Sequence, residues 1–195
     1  MDTRKLSCLL ATSSVTALLV GAFAPAANAA CGITQNGGSA ASISNSGATN
    51  CISVTGGTSI TGNVTNTPSG TLTPGASGNG ININIATIGG SIVNQGKITA
   101  SSGNGIFVTN APVAGGITNS GTISASNVKA GINLNGGSSF GGGINNSGTV
   151  AGGRGIAAFN VSTFSGGITN SRSISTTSLT AADRSGQIGQ SAATA

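Results

Sequence analysis

The chain contains no histidine, tryptophan, tyrosine or glutamate, and its two acidic residues are Asp2 and Asp183. General acid–base catalysis draws on a titrating group held near the working pH, most often His or a carboxylate. A lone carboxylate cannot supply the pair that glycoside hydrolysis uses. Without His no Ser-His-Asp triad assembles, despite the many serines. Metal sites built from His, Cys and carboxylates also lack ligands. The composition therefore points away from an enzyme, and neither a cofactor nor a metal is expected. Cations are sparse too: beyond residue 30 they are Lys97, Lys129, Arg154, Arg172 and Arg184. They stand singly rather than in a cluster. Phosphate binding needs charges converging on one surface, and base stacking needs aromatics. No nucleic-acid partner is expected, and the cations serve to keep a nearly neutral surface soluble.

What the chain does have begins with a leader. Arg4 and Lys5 precede a mostly apolar run from Leu6 to Phe23, Pro25 breaks it, and Ala27-Asn28-Ala29 offers the small residues of a cleavage site. The run is close to the roughly 20 apolar residues that span a bilayer. The A-x-A ending and the polar chain after it favour a signal peptide over 1–29, read by the Sec machinery. Cys31 follows Ala29-Ala30, but Asn28 stands where a lipobox carries a large aliphatic residue. No second apolar segment follows. After removal of 1–29 the net charge is +4, from five basic residues and one acidic.

The remaining chain is rich in Gly, Ser, Thr and Asn, a composition shared with disordered tracts. A persistent register argues for order. An apolar-x-Asn triplet recurs at Ile43-Ser44-Asn45, Val64-Thr65-Asn66, Ile92-Val93-Asn94, Ile117-Thr118-Asn119, Ile144-Asn145-Asn146 and Ile168-Thr169-Asn170. The steps are 21, 28, 25, 27 and 24 residues. A second marker, Gly80-Ile81, Gly105-Ile106, Gly131-Ile132 and Gly155-Ile156, steps by 25, 26 and 24. Two markers keeping one step indicate stacked repeats. Within a repeat the apolar period is two, as at Ile81, Ile83 and Ile85, which means strands. The strands are short, with turn residues between them. The expected fold is all-β: a parallel β-helix of about six coils with repeats of about 25 residues, each coil holding three short strands. At 4.8 Å per coil the six rise roughly 29 Å. Residues 30–60 are expected to form an N-terminal cap and a first degenerate coil, 61–175 the regular repeats, and 176–195 an irregular polar tail or partial coil.

Stacking explains why one phrase returns. Ile117, Ile144 and Ile168 fall in one interior column, and Ile123, Val150 and Ile174 in another. Asn94, Asn119, Asn146 and Asn170 are placed to form an amide ladder of the kind stacked Asn makes in cross-β assemblies. The glycines that follow (Gly96, Gly121, Gly148) are expected at positive φ. Arg172 occupies that place in the last copy, and a left-handed conformation there costs on the order of 1 kcal/mol. The last coil is therefore expected to be the weakest. Thr67-Pro68-Ser69 reads as a bulging loop. Cys31 and Cys51 are the cysteines left after the leader, and in an exported chain a disulfide is favoured over free thiols. Closing that span stabilises by about 3 kcal/mol on the chain-entropy model.

GGITNSGTISA-type repeats, a following G-I-x-L strand and a Sec-type leader resemble the passenger regions of autotransporters of Gram-negative bacteria. The resemblance covers roughly Gly32 to Ser175. It implies a right-handed β-helix, exported and carried to the cell surface through a C-terminal outer-membrane barrel, where passengers serve as adhesins or stalks. Barrel strands read as about 10-residue alternating segments with aromatic girdles, and no such segment occurs through Ala195. The expectation is a structural or adhesive passenger fragment lacking the barrel, located in the periplasm or at the cell surface, with a host or neighbouring-cell surface as partner. The alternative is a stand-alone secreted solenoid that binds a surface or glycan ligand. Asn82, Phe107, Asn133 and Ala157 would then share an outward column with Phe159 just beyond, and Phe107 with Phe159 would form the ligand face. Both rings packing beneath a loop is the competing reading. An ice-binding Thr array is disfavoured, because the outward column Lys97, Thr122, Thr149, Ser173 is interrupted by Lys97.

Overall fold

The computed structural model describes residues 30–76 and 78–176, together with strand backbone at 187–188. The expected leader and most of the expected tail lie outside the described residues. The chain winds through coil after coil, each giving one strand to each of four sheets. Coil one holds β1 (Ile33–Asn36), β2 (Ser39–Ala40), β3 (Ile43–Asn45) and β4 (Ala48–Thr49). Coil two holds β5 (Ile52–Thr55), β6 (Thr58–Ile60), β7 (Val64–Asn66) and β8 (Thr71–Leu72). Coil three holds β9 (Ile81–Asn84), β10 (Ala86–Ile88), β11 (Ile92–Asn94) and β12 (Lys97–Ala100). Coil four holds β13 (Ile106–Thr109), β14 (Pro112–Val113), β15 (Ile117–Asn119) and β16 (Thr122–Ala125). Coil five holds β17 (Ala130–Asn135), β18 (Ser139–Phe140), β19 (Ile144–Asn146) and β20 (Thr149–Gly152). Coil six holds β21 (Arg154–Ala158), β22 (Thr163–Phe164), β23 (Ile168–Asn170) and β24 (Ser173–Thr176).

Sheet A runs β1-β5-β9-β13-β17-β21 and ends on β25 (Gln187–Ile188); sheets B, C and D each have six strands, one per coil. The pairings between successive coils are parallel, and β25 alone pairs antiparallel, on β21. The fold is thus an all-β parallel solenoid with repeats of about 25 residues and no helix among the described residues. Each coil has four strands rather than three. The extra strand lies in sheet B, where β14 and β18 are two residues long and supply one inward side chain each, Val113 and Phe140. Within residues 30–60, β1–β4 supply one strand to every sheet, and β5 and β6 begin the next coil.

The interior is a set of columns. Ile92, Ile117, Ile144 and Ile168 are in register in sheet C, and Ile123, Val150 and Ile174 in sheet D. Ile52, Ile81, Ile106 and Ile132 form the sheet A column and have no exposed surface. Burying such a side chain contributes about 1.5–3 kcal/mol, and no coil can do so without neighbours. β-branched residues suit this setting, since their stiff χ1 packs well on a pleated surface.

Glycine enters the repeat for two different reasons. In the GGI phrase the second Gly (Gly116, Gly143, Gly167) has φ of +79°, +68° and +65°, a left-handed corner that other residues enter at a cost. Gly96, Gly121 and Gly148, expected at positive φ, do not have it. There a Cβ would collide with the carbonyl oxygen of Gly70, Gly96 and Gly121 respectively, one coil earlier. The requirement is close backbone approach. Arg172 is likewise not at positive φ, so the expected left-handed penalty does not apply. At this one corner the last coil sits farther off. Thr71, Lys97, Thr122 and Thr149 donate to the coil before at 2.9 Å, whereas Ser173, beside Arg172, reaches Gly148 O at 3.3 Å.

Candidate functional site

The most ordered polar feature is the asparagine ladder along the inside of sheet C. Each Nδ2 donates to the Oδ1 of the next coil: Asn45 to Asn66 and Asn66 to Asn94 at 2.8 Å, then Asn94 to Asn119 at 2.8 Å. Asn119 to Asn146 and Asn146 to Asn170 follow at 2.7 Å. The ladder thus contains Asn94, Asn119, Asn146 and Asn170 and extends to Asn45 and Asn66. Asn66, Asn94, Asn119 and Asn146 have no exposed surface. A buried amide is costly unless bonded, and here the second Nδ2 hydrogen finds a carbonyl in its own coil. Asn94, Asn119 and Asn146 donate to Gly96 O, Gly121 O and Gly148 O at 3.3, 3.4 and 3.1 Å. These glycines are the ones held against the preceding coil, so ladder and glycine column specify one corner together.

A second asparagine pair escaped the sequence reading. Asn79 Oδ1 accepts from Asn104 N at 2.9 Å and from Asn104 Nδ2 at 3.0 Å. Asn104 Oδ1 in turn accepts from Ala130 N at 3.0 Å and from Asn133 Nδ2 at 3.3 Å. The signal was present as Gly78-Asn79-Gly80 and Gly103-Asn104-Gly105, one repeat apart. This pair closes the corner between sheets D and A.

Cys31 and Cys51 form a disulfide with Cα atoms 4.6 Å apart. Cys51 is buried, and the bond fastens the entry to β1 against the entry to β5. It ties coil one to coil two.

Phe107 and Phe159 are not brought together. Phe107 lies in sheet A between Asn82 and Asn133, outward and half-buried. Phe159 follows β21 two coils later, about 10 Å up the axis at one strand spacing per coil. Its ring faces the Arg154 guanidinium, 5.8 Å from the ring centroid. The ring pair that does meet is Phe140 with Phe164, 6.1 Å apart in sheet B. Outside that pair, Thr87, Pro112, Ser139 and Thr163 line an open groove of ≈ 400 Å³ across four coils. None of them titrates. Among the described residues no three of His, Cys, Asp or Glu converge on a metal-sized site, and no helix is long and apolar enough to cross a membrane. No protein-family model, curated protein or solved structure matches the chain.

Proposed function

We propose that this chain is an exported structural element, an adhesive passenger or surface stalk of the autotransporter kind, without chemistry of its own. The observation that carries the reading is the continuity of the columns. Isoleucine and asparagine columns run the length of the solenoid, while the outward positions are mostly Ser, Thr and Asn, with single cations and the isolated apolar residues Val93, Phe107 and Pro112 among them. Such a body holds distance and presents a surface; it offers no paired titrating groups for a reaction. Export is supported by the leader at 1–29 and by the Cys31–Cys51 bond, because disulfides persist in oxidising compartments. In this reading Sec machinery reads the leader, the destination is the periplasm or cell surface, and the partner is a host or neighbouring-cell surface. Expression of the full chain in a Gram-negative host tests it. The expected product is outside the cytoplasm, starts at Ala30 by intact mass and carries no free thiol. A full-length, reduced chain retained in the cytoplasm contradicts it.

A second reading, glycan or surface binding by a stand-alone solenoid, is favoured by one observation: Phe107 remains partly accessible between two asparagines, Asn82 and Asn133. Phe107→Ala separates the two. Loss of binding to a glycan panel with unchanged thermal stability supports a ligand face. Reduced stability with unchanged binding leaves Phe107 as packing.

A further inference from the structure

We propose that the two ends of the solenoid are complementary, so that a second copy of this chain docks its coil one on coil six of the first when β25 leaves the edge of sheet A. The asparagine ladder is polar, and carbonyls fix its direction. Asn66, Asn94, Asn119 and Asn146 each place Nδ2 near a backbone carbonyl of the following coil (Lys97, Thr122, Thr149 and Ser173 O, 3.2–3.5 Å). A carbonyl accepts only, so the nitrogen must face that way. The two ends therefore differ. Asn45 leaves Oδ1 facing away from the stack, with Gly47 N at 3.4 Å. Asn170 leaves Nδ2 facing the other way, with Arg172 O at 3.5 Å. Joining two N-terminal ends sets acceptor against acceptor. Joining coil six to coil one of a second copy adds a link like the five inside the molecule.

The edges agree with this register. Among the described residues, β2, β3 and β4 have one parallel neighbour each, as do β22, β23 and β24. In the stack Ile168 falls over Ile43 of the second copy and Asn170 over its Asn45. Phe164 falls over Ala40, large over small. Ile168 and Phe164 at one end, and Ile33 and Ala40 at the other, are only partly buried, whereas interior members of the same columns (Ile117 for Ile168, Phe140 for Phe164, Ile52 for Ile33 and Ile60 for Ala40) are covered. Both ends thus leave apolar surface that a further coil would cover. β25 stands in the way: two residues, antiparallel on Ile156 and Ala157, where β1 of a second copy would pair. A heterologous contact of this type does not close and produces filaments. The inference rests on removal of the leader proposed above, since residues 1–29 precede β1.

The test uses the mature chain purified from the periplasm, with intact mass reporting leader removal independently. Gln187→Pro/Ile188→Pro removes the donors of β25 and disfavours its strand. By light scattering after size exclusion, this variant is expected to at least double its mass-average between micromolar and hundreds of micromolar concentration, while the parent chain stays smaller. Ser44→Pro is then added. Ile43 N and Asn45 O bond to coil two, which turns Ser44 toward the open edge. Proline there should return the variant to monomer with an unchanged circular dichroism spectrum. Should the Ser44→Pro chain not fold, Ser44→Cys and Thr169→Cys on separate Gln187→Pro/Ile188→Pro chains provide the second readout, since neighbouring parallel strands lie within disulfide reach. Cross-linking only on mixing supports the proposal. A β25 variant that stays monomeric, assembly that survives Ser44→Pro, or Ser44→Cys chains that cross-link without a partner overturns it.

Discussion

At the residue scale, single positions report how tightly each column is specified. Ile85 sits at the corner between sheets A and B with φ +51° and is 56% exposed. A β-branched residue is poorly suited to that conformation, and Asn110 and Asn160 hold the same kind of corner at φ +49° and +52°. Ile85→Asn is therefore expected to stabilise by about 1 kcal/mol, seen as a rise in the thermal midpoint. The ladder behaves in the opposite sense. Asn119→Ala removes the short bond from Asn94 Nδ2, leaving it only longer carbonyl contacts, and takes away the Asn119 donor to Asn146 Oδ1 in the interior; it is expected to cost about 2–4 kcal/mol. Asn170 lies at the end and is half-buried, so Asn170→Ala is expected to cost about 1 kcal/mol. Equal losses in urea titrations of the two variants would show that the ladder is not a cooperative buried feature.

At the element scale, the weak members are the two-residue strands of sheet B and the fastened first coil. Cys31→Ser/Cys51→Ser is expected to lose up to about 3 kcal/mol. The loss should appear in hydrogen exchange as faster opening of β1–β4, with coils three to five protected, because the bond ties only coils one and two. Uniform acceleration across all coils would instead mean that the solenoid opens as one unit. The periodic elements were legible because the same column requirement repeats: Ile117, Ile144 and Ile168 are alike since each meets the same neighbours. Sheet B was not legible. Pro112–Val113 and Ser139–Phe140 each place a single residue inward, too few to display an alternation. Sequence also could not separate the two uses of glycine. Both positive φ at Gly116 and carbonyl approach at Gly121 forbid a Cβ, so both read as a conserved-looking Gly within the repeat. Phe107 and Phe159 seemed neighbours because offset along the axis is invisible until coils are counted.

At the scale of the whole molecule, six coils share one core, and no coil is stable without those beside it. Each sheet runs without a break from coil one to coil six, the continuity that the proposed stalk role requires. Limited digestion with a protease of broad specificity, read by mass spectrometry, tests that body most directly. One resistant fragment extending from about Cys31 to about Thr176 is expected to persist, cut only at its ends and at exposed corners such as Pro68 and Val128. Rapid conversion to small peptides throughout the repeats, with no resistant core, would contradict the stacked-coil architecture and the stalk built on it.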